Sequence, residues 1–566
     1  MRPHLMQAAA IGLVLATAGA LLQTAVQPPR QTDVPSVLPG GAVLVVQARD
    51  FSSLLGDWTA SSEKRTWLAS DNYQTFSRSR LFLRLKDAYG EFATAAGVPV
   101  DMTLLGDVAG SESALAIYDI GKLEFLYITR LPSAKMMENA LWRTRGNYEP
   151  RLASGTPFYV RIDRESKRLI AFCARDQYLL LATREDLLAG ALSLIGAQGG
   201  ASVRSEGWFV RSVQAARGPG DLRLVMNLEA LVKEPHFRSY WIQDNVSELK
   251  QFASGVSDLF RTPAEVREER VLLRAEEKPA GGEPAALGDI TRLVPDGAGL
   301  YRAWVAPPAD AAARLIIGKI LAPSASSSVR DRTAPTVWLT TPLTGSAGDL
   351  ESRIDEEGRA PRTIGYQTAA LDRLIGGAPP VAMLHVEATR AGSDRVFVNR
   401  GAVIVVARQN DWPPGAARDA IRASVEPMWT KAQLGMRWND VRIGAQSFSQ
   451  MEGLEPIAVA ERGRLLFVGS DPALLASMLE LVSRPPAAMQ GVYAGGFRHA
   501  LERGRFIGVM RLIDHAAARG ERREPLFFSE NLASLSDTLS RVEAASIVVR
   551  DAGGTVSQTL TYRIAR

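Results

Sequence analysis

The 566-residue chain has few of the residue types that build reactive sites, with one cysteine, Cys173, and five histidines. A single cysteine excludes an intramolecular disulfide and a cysteine-based metal site. It also excludes a lipid anchor, which needs a cysteine close to the N-terminus. The histidines show no HExxH or other ligand spacing, and no Walker loop, GxGxxG or GxSxG element occurs. The sequence therefore predicts no metal and no cofactor.

Concentrated charge is also missing. The net charge is +5 over the whole chain, and no run of five or more Lys/Arg residues occurs. Nucleic-acid binding requires a concentrated basic face, so no nucleic-acid partner is predicted. The content of 46% hydrophobic and 22% charged residues is ordinary for folded domains, and the chain is too long for a single core.

The N-terminus has a stretch without charge, from Gln7 to Val26. About 20 apolar residues can span a bilayer as a helix. The same stretch can be read as a signal peptide, with Ala18-Gly19-Ala20 as a small-residue cleavage site. Residues 1–30 are therefore predicted to be a signal peptide or an N-terminal membrane anchor. The rest of the chain is expected to be exported, either periplasmic or anchored to the inner membrane and facing the periplasm.

The sequence contains an internal repeat. Residues 171–195 and 458–482 align without a gap and share eight identities. We also match 38–42 with 294–298, 224–228 with 508–512, and 271–274 with 547–550. A period this long indicates a duplicated domain and not a solenoid. The prediction is a tandem duplicate, with lobe A at 31–280 and lobe B, its repeat, at 281–566.

Short apolar runs separated by tight turns predict an antiparallel sheet. Leu169–Ala174 and Tyr178–Ala182 are too close in sequence for a crossover helix, so they should pair antiparallel. Thr183 and Ser470 are predicted to cap the helix that follows in each copy. Strand–strand–helix order without βαβ alternation predicts an α+β fold: two tandem homologous lobes, each a mainly antiparallel sheet with helices packed on one face.

Further elements follow from the same patterns. Helices are predicted over Ser79–Ala96 and Val246–Phe260. Glu276–Asp289 is rich in Pro, Gly and Glu and is predicted to be a flexible linker between the lobes.

Two SxxK strings, Ser61–Lys64 and Ser247–Lys250, are the nearest approach to a catalytic motif. In penicillin-binding enzymes this spacing places lysine one helical turn from the serine that it helps to activate. No KTG box accompanies either string, and Cys173 aligns with Ala460, as expected of a core residue. No catalytic residue is therefore predicted.

A group of aromatic residues leaves two interpretations open. Trp58, Trp67, Tyr73 and Phe76 lie within one short stretch. They could line a groove for a peptide, a glycan or a lipid tail, or they could pack between helices.

Three short stretches carry a family resemblance: Leu38-Pro39-Gly40-Gly41, Leu105–Gly110 and the junction Tyr178–Arg184. Through these stretches the chain resembles a bacterial family of uncharacterised exported proteins, known only as a domain of unknown function. It implies an exported or membrane-tethered α+β body, and it transfers no catalytic residue.

Three roles are weighed, and the third is a membrane-tethered spacer, which predicts no deep pocket. The leading prediction is a non-enzymatic exported or membrane-tethered envelope protein that binds or scaffolds a partner protein or an apolar ligand between its lobes. It would contact the membrane through an uncleaved N-terminal segment. The alternative is an envelope serine hydrolase that uses an SxxK serine in one diverged lobe. An enzyme should show a polar constellation in one lobe only, whereas a binding protein should show an apolar surface.

Overall fold

The computed structural model describes residues 33–69, 73, 77–78, 80–235, 237, 249–279, 282–321, 369–391, 398–431, 436–453, 456–502 and 541–565. The predicted N-terminal segment, Ser247 and the matched stretch 508–512 lie outside these residues.

Among the described residues, the first half of the chain contains ten strands. In chain order its elements are β1 (Leu44–Ala48), α1 (Phe51–Ala60), α2 (Ser62–Ala69), α3 (Arg80–Ala96), α4 (Met102–Val108), β2 (Ser113–Asp119), β3 (Glu124–Arg130), α5 (Ser133–Glu138), α6 (Ala140–Arg143), β4 (Glu149–Ala153), β5 (Thr156–Ile162), β6 (Leu169–Arg175), β7 (Tyr178–Ala182), α7 (Glu185–Ile195), α8 (Gly207–Ala215), β8 (Leu222–Met226), α9 (Leu228–Leu231), β9 (Phe252–Thr262) and β10 (Glu265–Arg274).

The described part of the second half contains another ten strands. Its elements are α10 (Ala286–Thr291), β11 (Leu300–Val305), α11 (Ala309–Ile316), a π-helix (Ile317–Leu321), α12 (Ala369–Gly376), β12 (Ala382–Ala391), β13 (Val398–Ala407), α13 (Ala416–Lys431), β14 (Trp438–Ile443), β15 (Gln446–Met451), β16 (Ile457–Arg462), β17 (Leu465–Gly469), α14 (Pro472–Glu480), β18 (Tyr493–Phe497), β19 (Val542–Asp551) and β20 (Thr555–Ile564).

The predicted α+β class with an antiparallel sheet is confirmed. Helices pack on both faces of the sheet, however, and the prediction of one covered face is wrong. Alternate residues of a strand point to opposite faces. In β6, Ala171 and Cys173 pack in the cluster that contains α7, whereas Ile170 and Phe172 pack in the cluster that contains α3 and α4. We call these two sides the α7 face and the α3 face.

The strands of the two halves follow the same order. Across the first half the order is β4-β5-β6-β7-β3-β2-β1-β8-β9-β10. Across the second half it is β14-β15-β16-β17-β13-β12-β11-β18-β19-β20. Each strand of the first half thus has an equivalent in the second half whose number is higher by ten. The matched segments 171–195 and 458–482 share one local topology, strand–turn–strand–helix.

Several matches and elements predicted from sequence are corrected by this order. Tyr493–Phe497 occupies the place of β8, a place that the sequence match gave to 508–512. Residues 271–274 lie in β10 but 547–550 lie in β19, so that match joins strands at different positions. The helix predicted over Val246–Phe260 is wrong, because β9 begins at Phe252.

The two halves join through β10 and β20, which pair antiparallel from Glu265 opposite Arg563 to Leu273 opposite Thr555. Buried Arg270 lies at this seam, with Nη1 2.8 Å from Gln558 Oε1 and Nη2 2.7 Å from Glu268 Oε1. Because β10 and β20 hold the same place in their halves, the seam has approximate two-fold symmetry.

A hydrophobic cluster spans the seam and contains Phe252 and Leu272 of the first half with Val556 and Leu560 of the second. The expected linker also packs: α10 begins inside it and buries Leu287 and Ile290. The composition of 276–289 predicts a linker because Pro and Gly dominate its first part. The apolar residues that form α10 come only at its end. At the seam, the two halves form one paired sheet with a common core. The boundary at 280/281 between two lobes stays a prediction.

Candidate functional site

The connection between β1 and β2 contains helices α1, α2, α3 and α4, and we call residues 51–108 the helical segment. Local capping fixes its turns. Asp50 accepts a hydrogen bond from Ser53 N at the start of α1, and Asp101 accepts from Thr103 N and Leu104 N at the start of α4. Helix α3 packs on the sheet through small residues near its end, including Ala95 and Ala96.

Large apolar side chains are exposed along this segment. The described residues include nine exposed large apolar side chains, and five of them belong to residues 51–108. They are Trp58, Leu68, Leu83, Tyr89 and Met102. Trp58 is 46% exposed and Tyr89 is 47% exposed, and α1 has no buried residue. All five lie in one stretch of the chain, and exposed apolar residues that form a contiguous patch mark a binding surface.

The aromatic group predicted from sequence divides into two parts. Tyr73 contacts Trp67 and Phe82 edge-on, with ring centroids 6.3 and 6.1 Å apart. These contacts support the packing interpretation for Trp67 and Tyr73. Trp58 is exposed, and Phe76 lies outside the described residues.

The same segment has an excess of positive charge. Residues 58–89 contain six Lys/Arg and three Asp/Glu residues. The chain as a whole is close to balanced, with 66 basic and 61 acidic side chains. Basic and apolar residues are therefore mixed in one stretch of about thirty residues.

Ser61 and Cys173, whose side chains could act as nucleophiles, have structural roles. Ser61 Oγ donates to Trp58 O at 2.8 Å and accepts from Lys64 N at 3.1 Å, so the serine caps α2. Cys173 is buried beside Pro157, and burial raises the pKa of its thiol to about 12. A thiol with so high a pKa is a poor nucleophile at neutral pH.

A second arrangement, missed by the sequence analysis, is a buried group of titratable residues on β11, β12 and the π-helix, which we call the His385 cluster. His385 and Glu387 are 2% and 4% exposed. Glu387 Oε1 lies 2.9 Å from His385 Nε2 and 3.4 Å from Lys319 Nζ. The Glu387 carboxylate is therefore the nearest negative charge to the His385 ring.

Charge and burial both act on His385. Burial lowers its pKa below the ordinary value, and neighbouring Glu387 raises it by a smaller amount. Lys319 and Arg302, which pairs with His385 across the sheet, add positive charge and lower the pKa further. His385 is therefore held neutral at neutral pH.

The first half has apolar residues at the corresponding positions. Arg302 pairs with His385 as Val46 pairs with Leu115, and Leu300 pairs with Glu387 as Leu44 pairs with Ile117. A buried polar group is costly in a core, so its presence in one half only is a real difference between the halves. Only the strand equivalence makes this difference visible, which is why scattered histidines gave no signal in the sequence.

The fold constrains what these residues can hold. Among the described residues, no set of three or more His, Cys, Asp or Glu side chains is arranged to bind a metal ion. In that part of the chain, no helix has both the length and the apolar character needed to cross a bilayer.

Comparisons with known proteins add little. No protein-family model and no curated protein matches the chain. Solved structures of TP0453 in crystal forms I and III are similar at 10% sequence identity, covering 44% of this chain and 81% and 82% of theirs. Their TM-scores are 0.24 and 0.23, which are too low to carry an argument about this chain.

Proposed function

We propose that this chain is a non-enzymatic, exported and membrane-tethered protein of the cell envelope. Its helical segment, residues 51–108, would bind the surface of an anionic bilayer. The observation that supports the proposal is the concentration of exposed apolar side chains on this segment. The family resemblance noted above agrees with an exported body, and Gln7–Val26 supplies a candidate tether.

The apolar residues suit the boundary between headgroups and acyl chains. Trp, Tyr and Leu are the residues that peripheral helices insert there. Trp58, Leu68, Leu83 and Tyr89 are each close to half exposed. Transferring the exposed part of each side chain into lipid would contribute roughly 1 kcal/mol.

The charge favours a bilayer over an apolar protein surface. Each Lys or Arg near an anionic leaflet contributes about 1 kcal/mol at low screening. The net excess of three basic residues over residues 58–89 therefore adds to the apolar contribution. A membrane anchor ending near residue 30 would keep this segment close to a bilayer at all times, so that weak binding would be enough.

Vesicle sedimentation tests the proposal. Residues 33–566 should sediment with vesicles that contain phosphatidylglycerol and much less with pure phosphatidylcholine vesicles. Trp58→Ser combined with Leu83→Ser should reduce the bound fraction about ten-fold. The matched control is Leu152→Ser combined with Ile162→Ser, which removes two exposed apolar residues from β4 and β5. Equal loss in both variants would refute the assignment to the helical segment.

The His385 cluster has the one-sided distribution expected of an enzyme. His385 and Glu387 are almost fully buried, however, so a substrate could not reach them in this conformation. Ser61, the described SxxK serine, is used in helix capping. The contacts of these residues therefore do not favour the hydrolase alternative.

A further inference from the structure

The two ends of the sheet are formed by equivalent strands, β4 and β14. Among the described residues, β4 pairs only with β5 and β14 only with β15. Both hairpins close with two-residue turns, Ser154-Gly155 and Gly444-Ala445. Aligning the turns places Pro150 of β4 at the position of Asp440 in β14.

The turn also fixes which backbone groups of β14 face outward. Residues at the ends of a two-residue hairpin turn bond to each other, and the pattern alternates along the strand. Ile443 and Gln446 close the turn and form one such bonded pair. Arg437, six residues before Ile443, also bonds across the hairpin, because its carbonyl accepts from Glu452 N. The alternation therefore holds along the whole strand. The N–H and C=O groups of Asp440 and Arg442 therefore point to the open edge.

The other end of the sheet is blocked at this position. Pro150 has no N–H, and its equivalence to Asp440 places it where an outward donor would be needed. A proline there prevents another strand from pairing, which is how proteins protect an exposed edge. The edge in the second half has no such block, because Asp440 and Arg442 keep their N–H groups.

We propose that β14 is a self-association edge, where the β14 strands of two copies of this chain pair antiparallel about Val441. In this register Asp440 of each copy lies opposite Arg442 of the other. Both side chains are exposed and lie on one face of the sheet, because they are two residues apart. Opposite charges facing each other across paired strands are stabilising, and the symmetry produces this pair twice.

The chain already contains one antiparallel pair of equivalent strands. At the seam, equivalent strands β10 and β20 pair antiparallel about an approximate two-fold axis at Glu269 and Thr559. Pairing of β14 would join two copies by the same geometry and extend the sheet. A closed two-fold contact uses the same surface on both copies and leaves the blocked β4 edge at each outer end.

Disulfide trapping in the full-length chain in its own membranes tests the pairing. The central pair of this register is non-hydrogen-bonded, with Cα atoms about 4.5 Å apart, which is within reach of a disulfide. Val441→Cys should give a covalent dimer under mild oxidation. The matched control is Arg151→Cys, at the equivalent position of β4, which should remain monomeric. Native Cys173 is buried, so the unaltered chain should also remain monomeric.

Charge exchange separates the proposed pairing from random collision. In the Val441→Cys background, Asp440→Arg or Arg442→Asp should each lower the dimer yield roughly ten-fold by placing like charges opposite each other. The double exchange Asp440→Arg with Arg442→Asp should restore it. Equal trapping at positions 441 and 151, or a double exchange no better than the single changes, would overturn the proposal. Unchanged thermal unfolding of each variant establishes that the chain is folded.

Discussion

Thr183 and Ser470 accept the same backbone hydrogen bond at equivalent places in the two halves. The backbone N–H of Phe125 in β3 donates to Thr183 Oγ1 at 2.8 Å. The backbone N–H of Ala402 in β13 donates to Ser470 Oγ at 3.1 Å. Both residues were predicted to cap a helix, and that prediction is wrong. The cap positions belong to the next residues, Arg184 and Asp471, and the hydroxyl joins two strands of the sheet.

This shared bond predicts matched effects in the two halves. Thr183→Val and Ser470→Ala should each lower the free energy of unfolding by about 1–2 kcal/mol, because a partly buried N–H loses its acceptor. Urea unfolding of each variant measures the change. Thr183→Ser keeps the hydroxyl and is the control. Thr183→Val keeps the γ-methyl group and loses the hydroxyl, so an unchanged free energy of unfolding in that variant would contradict a stabilising hydrogen bond.

The common core at the seam predicts that the halves unfold together. Leu188 and Leu475 are fully buried on α7 and α14. Either residue changed to alanine should lower the free energy of unfolding by about 2–5 kcal/mol. The chain should still unfold in one transition, because Leu272 and Leu560 belong to one hydrophobic cluster. Calorimetry with two separate transitions, only one of them shifted, would show instead that the halves are independent.

The His385 cluster predicts a pH dependence of stability. Burial lowers the pKa of His385 in the folded chain below its ordinary 6.5, so the unfolded chain binds the proton more readily. The stabilising contribution is complete above pH 6.5 and is lost as the pH falls below that value, at up to about 1.4 kcal/mol per pH unit.

Urea unfolding between pH 7.5 and 5.0 measures this slope. His385→Leu introduces the residue type that the first half has at Leu115, and it should reduce the slope over this interval. Glu387 remains paired with Lys319 in that variant, so the change in slope reports on the histidine. Identical slopes for the variant and the unaltered chain would contradict a depressed pKa.

The parts predicted from sequence are those that local pattern determines. Two short apolar runs around a tight turn identified β6 and β7, and leucine spacing identified α7 and α14. Contacts distant in sequence were not accessible in this way. Nothing in the residues around Arg270 indicates that its partner is Gln558. The mixture of polar and apolar residues in β9 predicts a helix, although the segment is a strand. The sequence identifies the aromatic residues of the helical segment but not which of them are exposed, because it cannot distinguish exposed Trp58 from packed Trp67.

The position of residue 58 relative to a bilayer shows whether the helical segment contacts lipid. The full chain carrying Trp58→Cys, labelled there with an environment-sensitive fluorophore, would be reconstituted in vesicles containing phosphatidylglycerol. Buried Cys173 should not take up the label. The same label at Leu152→Cys, which replaces another exposed apolar residue, is the control. We predict blue-shifted emission and quenching by lipid-attached nitroxide at position 58 but not at position 152. Emission typical of water at position 58, with no quenching, would show that the helical segment does not contact lipid.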